Sequence, residues 1–211
     1  SEYSGFIDDD CIISKKWLIK MIKFIKKNNC DIVGGPQYHS VSNKKFLNLF
    51  NLIEPKRYHN QKIKWIATNN SFFKSKIITK SGIKFDEKFK NIGGSDQLFF
   101  KLLINKKNIK CRWNLNSYVT ENIQKERERL SWFLRRNLRY GYSGSLIDKK
   151  IYGNIIGSFI NILKVFSLLF LSITYFFFIF LKNNFIKSLF FFFRFLGRFL
   201  GLFNYIPKKY I

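Results

Sequence analysis

Three consecutive carboxylates, Asp8, Asp9 and Asp10, close the run Phe6-Ile7-Asp8-Asp9-Asp10 near the start of the chain. Three acids in a row repel one another, so the cluster is costly unless a cation neutralises it. Hard oxygen donors at this density suit magnesium or manganese better than zinc. An acidic turn capping the next helix is the alternative. Another carboxylate, Asp96, follows Gly93-Gly94-Ser95. Glycines there let backbone approach a ligand, and the acid falls in the first turn of an expected helix, although capping by Ser95 and Asp96 accounts for the same residues. The third concentration is basic. Between Glu126 and Leu146, Arg127, Arg129, Arg135, Arg136 and Arg139 alternate with Trp132, Phe133, Leu138 and Tyr140, in a chain where arginine is otherwise scarce. Guanidinium groups recognise phosphate in bidentate fashion; a solvated helix face, or one meeting anionic lipid headgroups, is the competing account.

The segments around these residues alternate in character. Phe6 and Ile7 read as a buried strand whose carboxyl end opens into the acids. Ser14 is the expected N-cap of a helix through Lys27, with Trp17, Leu18, Met21, Ile22 and Ile25 on its apolar face. Asp31-Ile32-Val33 predicts a short strand halted at Gly34-Gly35-Pro36. A helix over 43–53 ends before Pro55, and short strands at 63–67 and 71–73 flank Thr68-Asn69-Asn70. One helical turn over 75–80 closes at Gly82. Leu98, Phe99, Leu102 and Leu103 give the helix after Asp96 its apolar face, and strands follow at 109–113 and 117–120. Strand, acidic loop, helix, strand is an α/β pattern.

From Ile155 the composition shifts. Residues 165–181 carry no charge, and with the apolar stretch ahead of them, interrupted only by Lys164, they exceed the roughly 20 residues needed to cross a bilayer. Phe185 to Tyr205 is also apolar, but Lys187, Arg194 and Arg198 fall on one narrow stripe, as in a helix lying in the membrane surface. Gly197 and Gly201 form a GxxxG pair suited to close helix packing, and a hairpin would return Lys208 and Lys209 to the cytoplasmic side. The sequence leaves spanning and surface placement both open. The expected division is thus 1–146, a catalytic α/β portion; 147–154, a linker; and 155–211, a hydrophobic membrane-associated region.

Composition bounds the rest. The 211 residues are 46% apolar, enough for a core, and carry a formal charge of +25. That charge admits nucleic acid, anionic lipid or a phosphorylated substrate as partner, but the joint abundance of Lys, Asn, Ile and Phe is also the bias of an AT-rich coding sequence. Cys11, Cys30 and Cys111 lack metal-ligand spacing and read as free thiols in a reducing compartment. With His39 and His59 the only histidines, neither a histidine-rich metal site nor a Ser/His/Asp triad is supported. The first residues already read as strand, so the sequence is expected to begin inside a domain.

Together these motifs resemble the membrane-associated family 2 glycosyltransferases, whose fold is GT-A. The pieces are Phe-Ile-Asp-Asp-Asp (6–10), Val-Gly-Gly-Pro (33–36), Thr-Asn-Asn-Ser-Phe (68–72), Gly-Gly-Ser-Asp (93–96) and Arg-Arg-Asn-Leu-Arg-Tyr-Gly (135–141). The resemblance implies a partial GT-A fold, a Rossmann-like mixed sheet with flanking helices, followed by C-terminal membrane helices. It implies that Asp8 and Asp10 are the ends of a DxD motif holding a divalent cation, Mg2+ or Mn2+, and the nucleotide diphosphate. Asp96 then matches the family's catalytic base, with Ser95 in place of the usual acidic neighbour. Arg135, Arg136 and Arg139 sit where related synthases carry a QxxRW signature, lacking here its Gln and Trp, and would contact the donor phosphates. The nucleotide-binding half that precedes the DxD strand in the family is absent from this sequence, which looks like a C-terminal portion expected to be inactive alone. The implied activity is inverting transfer of a sugar from a nucleotide diphosphate sugar to a saccharide or lipid-linked acceptor in cell-surface glycan synthesis, at the cytoplasmic face of the membrane and without nucleic acid as partner. A basic nucleic-acid-binding module and a catalytically inactive membrane scaffold are the alternatives.

Overall fold

The computed structural model describes residues 1–53, 55–105 and 109–205, in two compact units. One unit comprises Ser1–Phe85 and Asp96–Lys125; the other comprises Asp86–Ser95 and the chain from Glu126 onward.

The first unit is mixed α/β. In chain order it contains β1 (Tyr3–Ile7), β2 (Cys11–Ile13), α1 (Trp17–Lys27), β3 (Ile32–Gly34), β4 (Gln37–Ser40), α2 (Lys44–Ile53), β5 (Asn70–Lys74), α3 (Ser75–Ser81), α4 (Ser95–Asn105), β6 (Cys111–Trp113) and β7 (Val119–Asn122). Four strands form a sheet in the order β1-β5-β3-β6, parallel only between β3 and β6. A smaller sheet has the order β2-β7-β4, with β4 and β7 parallel.

Successive strand residues point to opposite faces, and β5 shows the consequence. Phe72 packs with Trp17, Met21, Phe24 and Ile25 of α1, whereas Phe73 packs with Phe99, Phe100 and Leu103 of α4. Val33 and Ile32 of β3 divide the same way, so the larger sheet is covered on both faces. Fully burying side chains of this size stabilises by about 1.5–3 kcal/mol each relative to exposure, which makes these two layers the source of the unit's rigidity.

Two local expectations change, and two short strands are added. Helix α1 starts at Trp17, not after Ser14, because Lys16 takes a left-handed φ of 61° and the Trp17 amide bonds the Ser14 carbonyl at 3.0 Å. The strand at Ile32 stops at Gly34 as expected, and beyond Pro36 the chain enters the second sheet as β4. A three-residue strand, β2, follows the acids directly, too short for periodicity to reveal. Residues 63–67 are not a strand; only a bridge between Lys62 and Arg112 forms there, although Ile63 and Ile66 are buried.

The second unit is helical: α5 (Leu130–Tyr152), α6 (Asn154–Phe177) and α7 (Asn184–Leu202). Residues 147–152, read from sequence as linker, continue α5, and the break is confined to Gly153 at φ 81°. Helix α7 runs parallel to α5, since Phe133 stacks on Phe190, Asn137 meets Arg194, and Lys149 reaches the carbonyls of Gly201 and Leu202. It runs antiparallel to α6, where Ser172 bonds Ser188 and Asn161 bonds Arg198. The expected close packing at Gly197 and Gly201 is present: a Cβ at Gly197 would strike the Leu138 carbonyl, and one at Gly201 would lie 2.5 Å from Ser145 Cβ.

The basic stripe of α7 faces its neighbours rather than a headgroup layer. Arg198 Nη1 lies 2.8 Å from Asp148 Oδ2, Arg194 donates to Asn137 at 2.8 Å, and Lys187 lies over the Tyr175 ring at 5.1 Å. Buried charge requires such partners. Lys164 pairs with Asp148 at 2.7 Å. Among the described residues α6 is the helix long and apolar enough to cross a membrane, with mean hydropathy 2.0. Lys208 and Lys209 lie outside the described residues.

Candidate functional site

The acids sit where β1 gives way to β2. Ile7 pairs with Asn70 on β5, the Cys11 amide closes a turn onto the Asp8 carbonyl at 3.1 Å, and Cys11 then pairs with Glu121 on β7. The three carboxylates therefore occupy a tight connection between two sheets, with Asp8 and Asp9 exposed and Asp10 half-buried. Asp96 occupies the first turn of α4. Desolvation of the Asp8 carboxyl raises it above its ordinary value, assisted by the negative charges of Asp10, Asp96, Glu121 and Asp9, in that order. Burial, then Asp8, Glu121 and Asp10, push the Cys11 thiol up to about 12, so it is protonated and unreactive at neutral pH. Asp10, Asp96, Glu121 and Asp9 therefore all act on the Asp8 carboxyl.

Glu121 is buried and held by Gln37 and His39. Gln37 donates to Oε2 at 2.5 Å, His39 Nδ1 lies 3.2 Å from the same oxygen, and the Gln37 side-chain carbonyl accepts from Asn69. The His39 ring packs on Phe50 of α2 at 4.1 Å between centroids. Sequence reading did not single out Glu121, Gln37 or His39. A signal for Glu121 existed in the alternation of Val119 and Glu121, which puts a carboxylate on the inward face of a strand.

Asn70 ties the neighbourhood together. Its Oδ1 accepts from Trp17 Nε1 at 2.9 Å, and its Nδ2 donates to the carbonyls of Pro36 at 2.9 Å and Ser117 at 2.8 Å. Gly35 is required beside it, because a Cβ there would collide with the Ser117 carbonyl and stand 2.6 Å from Asn70 Nδ2. The segments 6–10, 33–36 and 68–72, distant in sequence, are thereby brought to one edge of the first unit.

Among the described residues no three His, Cys, Asp or Glu side chains form a ready-made metal cage. The donor set nevertheless fits a hard cation. Magnesium and manganese are commonly held by one or two carboxylates, with water and substrate phosphate completing the shell, and Asp8 and Asp10 supply two carboxylates whose mutual repulsion such an ion would relieve.

The arginines belong to the second unit. Arg127, Arg129, Arg135, Arg136 and Arg139 line a cavity of about 410 Å³ together with Trp132. Arg136 stacks over Trp132 at 4.9 Å and donates to the Tyr140 hydroxyl at 2.6 Å. Gly93 and Gly94, expected to admit a ligand, instead let residues 86–95 pack on α5: at φ 76° and 89°, they lie against Arg139 and against Ser143 with Ile147.

Residues 1–82 match the family model for Glycosyl transferase family 2. Among solved structures, that of S. aureus TarS 1-349 in complex with UDP is similar, with TM-score 0.42 and 15% identity over 65% of this chain and 40% of that one. The structure of S. aureus TarS 1-349 without that ligand gives TM-score 0.42 and 14% identity over the same shares. The chain thus spans 40% of the length of either structure. No curated protein matches it.

Proposed function

We propose that the protein is a membrane-associated, inverting glycosyltransferase of GT-A fold that moves a sugar from a nucleotide diphosphate sugar to a saccharide or lipid-linked acceptor, with the chain's α/β unit contributing the catalytic acids. The observation that carries this reading is the placement of Asp8, Asp9 and Asp10 in the tight connection between the two sheets, in a chain whose first 82 residues match the family model.

In this reading Asp8 and Asp10 hold Mg2+ or Mn2+, which when bound neutralises charge on the leaving diphosphate. Asp96, fixed by the first turn of α4, takes the proton of the acceptor hydroxyl as it attacks from the face opposite the leaving group. Glu121, immobilised by Gln37 and His39, keeps the edge negative and so favours the cation-bound form. Helices α6 and α7 hold the protein on the cytoplasmic membrane, with the α/β unit on its cytoplasmic side.

The experiment is donor turnover by the full-length protein across nucleotide diphosphate sugars, with Mn2+, with chelator, and in Asp10→Ala. Turnover that requires the cation and disappears in Asp10→Ala is the expected result, because a methyl group cannot coordinate. Chelator-resistant turnover, or full activity of Asp10→Ala at limiting Mn2+, would remove the acids from the mechanism.

A further inference from the structure

The three helices of the second unit expose unlike residues. Ile155, Phe159, Phe166, Ile173 and Phe177 are exposed along α6 from end to end, and Ile156, Leu163, Leu171 and Phe176 widen this into a broad apolar face. Phe185, Phe192, Phe199 and Phe203 make a second exposed stripe along and just beyond α7. Helix α5 differs. Arg135 and Lys150 are exposed on it, Arg136, Arg139 and Lys149 are half-buried, and the arginine cavity opens at its N-terminal end.

These helices must adopt one orientation in a bilayer. Both α5 and α6 lie alongside α7, α5 from the level of Phe133 with Phe190 to that of Lys149 with Leu202, so an upright α6 would carry α5 upright as well. The uncharged interval of α5 between Arg139 and Asp148 is Tyr140 to Ile147, about 12 Å of helix against a hydrocarbon core of about 30 Å. An upright unit would therefore sink either the arginine group or the Lys149 and Lys150 pair into hydrocarbon.

We infer that the helical unit lies in the plane of one leaflet of an anionic membrane, its α6 and α7 stripes facing the acyl chains and its α5 arginines seated on lipid phosphates. This rests on the membrane association proposed above and is independent of the transfer chemistry. Charge complementarity selects the occupant: five guanidinium groups against one carboxylate, Glu126, line one cavity and fit phosphate-bearing headgroups, whereas a second copy of this chain would bring like charge against them. The network of Asp148, Lys164, Arg198 and Asn161 then draws the polar groups of α6 and α7 toward Asp148 and away from the lipid.

The test uses the whole chain on vesicles of phosphatidylcholine alone and with phosphatidylglycerol. Tryptophan introduced singly at Phe159, Phe166 and Phe177 is quenched by lipids brominated at graded depths, with the native tryptophans as background. The expected result is one shallow depth for all three positions, together with roughly fivefold weaker binding to anionic vesicles for each of Arg135→Gln and Arg139→Gln and unchanged binding to the neutral ones. A depth gradient with Phe166 deepest means α6 spans, which overturns the inference and leaves membrane association standing. Equal binding to both vesicles, or competition by millimolar inorganic phosphate that abolishes the anionic preference without a bilayer contribution, also overturns it. Absence of vesicle binding, with the chain self-associated through its stripes, overturns both the inference and the membrane reading.

Discussion

Arg198 Nη1 and Asp148 Oδ2 lie 2.8 Å apart across α7 and α5, and Lys164 of α6 reaches the same oxygen at 2.7 Å. One carboxylate, itself 1% exposed, therefore joins all three helices of the second unit. Burial works to raise its pKa, but the hydrogen bond from Lys164 and the charge and hydrogen bond of Arg198 outweigh burial and leave it below the ordinary value.

A lowered folded pKa fixes the sign of the pH effect. The contribution is complete above the unfolded carboxyl value of about 3.9 and is lost as pH falls through the folded value. Asp148→Asn should destabilise the helical unit by about 3–5 kcal/mol at neutral pH, since it leaves two cations beside a neutral amide. Melting at pH 7 and at pH 3 checks this: the gap between wild type and variant should shrink at the lower pH. A constant gap would mean that Asp148 acts by shape alone.

Asp8 has the opposite sign. Its raised pKa means that ionisation opposes folding above the unfolded value, so Asp8→Asn should raise the melting temperature at pH 7 while weakening Mn2+ binding. The gain should vanish as pH falls below about 4. Calorimetric titration of Mn2+ beside thermal melting reads both, and a variant that melts lower while binding the ion normally would contradict the electrostatic account.

Asn70 should be the least replaceable polar residue of the first unit. Asn70→Ala strands the Trp17 indole N–H and two carbonyls that its amide now serves, for an expected loss of about 2–4 kcal/mol by denaturant unfolding. A loss below 1 kcal/mol would show that water replaces the side chain there.

Much of this was legible before the structure, and the residues show why. Helices α1, α2 and α4 announce themselves by apolar spacing, and the strands at Ile32 and Phe72 by short apolar runs between turn residues. The acids stood out as three consecutive carboxylates after an apolar pair, and they lie in the connection between β1 and β2. Strands β2 and β4 were not visible: three or four residues carry too little periodicity, and the stop at Gly34-Gly35-Pro36, which β3 obeys, gives no sign that the chain goes on into a second sheet. Gln37, His39 and Glu121 were missed because their association is made by strand pairing across about 80 residues. The inward turn of Arg194 and Arg198 was equally hidden, since a basic stripe on an apolar helix reads the same whether it meets headgroups or, as here, Asn137 and Asp148.

The most direct measurement of the central claim is steady-state donor turnover and thermal melting of the full-length Asp96→Asn protein. Asn caps a helix about as well as Asp but cannot accept the proton of the acceptor hydroxyl. A general base at this position requires a loss of roughly 10²–10⁴-fold in turnover with the melting temperature unchanged. Near-normal turnover at an unchanged melting temperature would contradict the account and leave Asp96 as the first turn of α4 and nothing more.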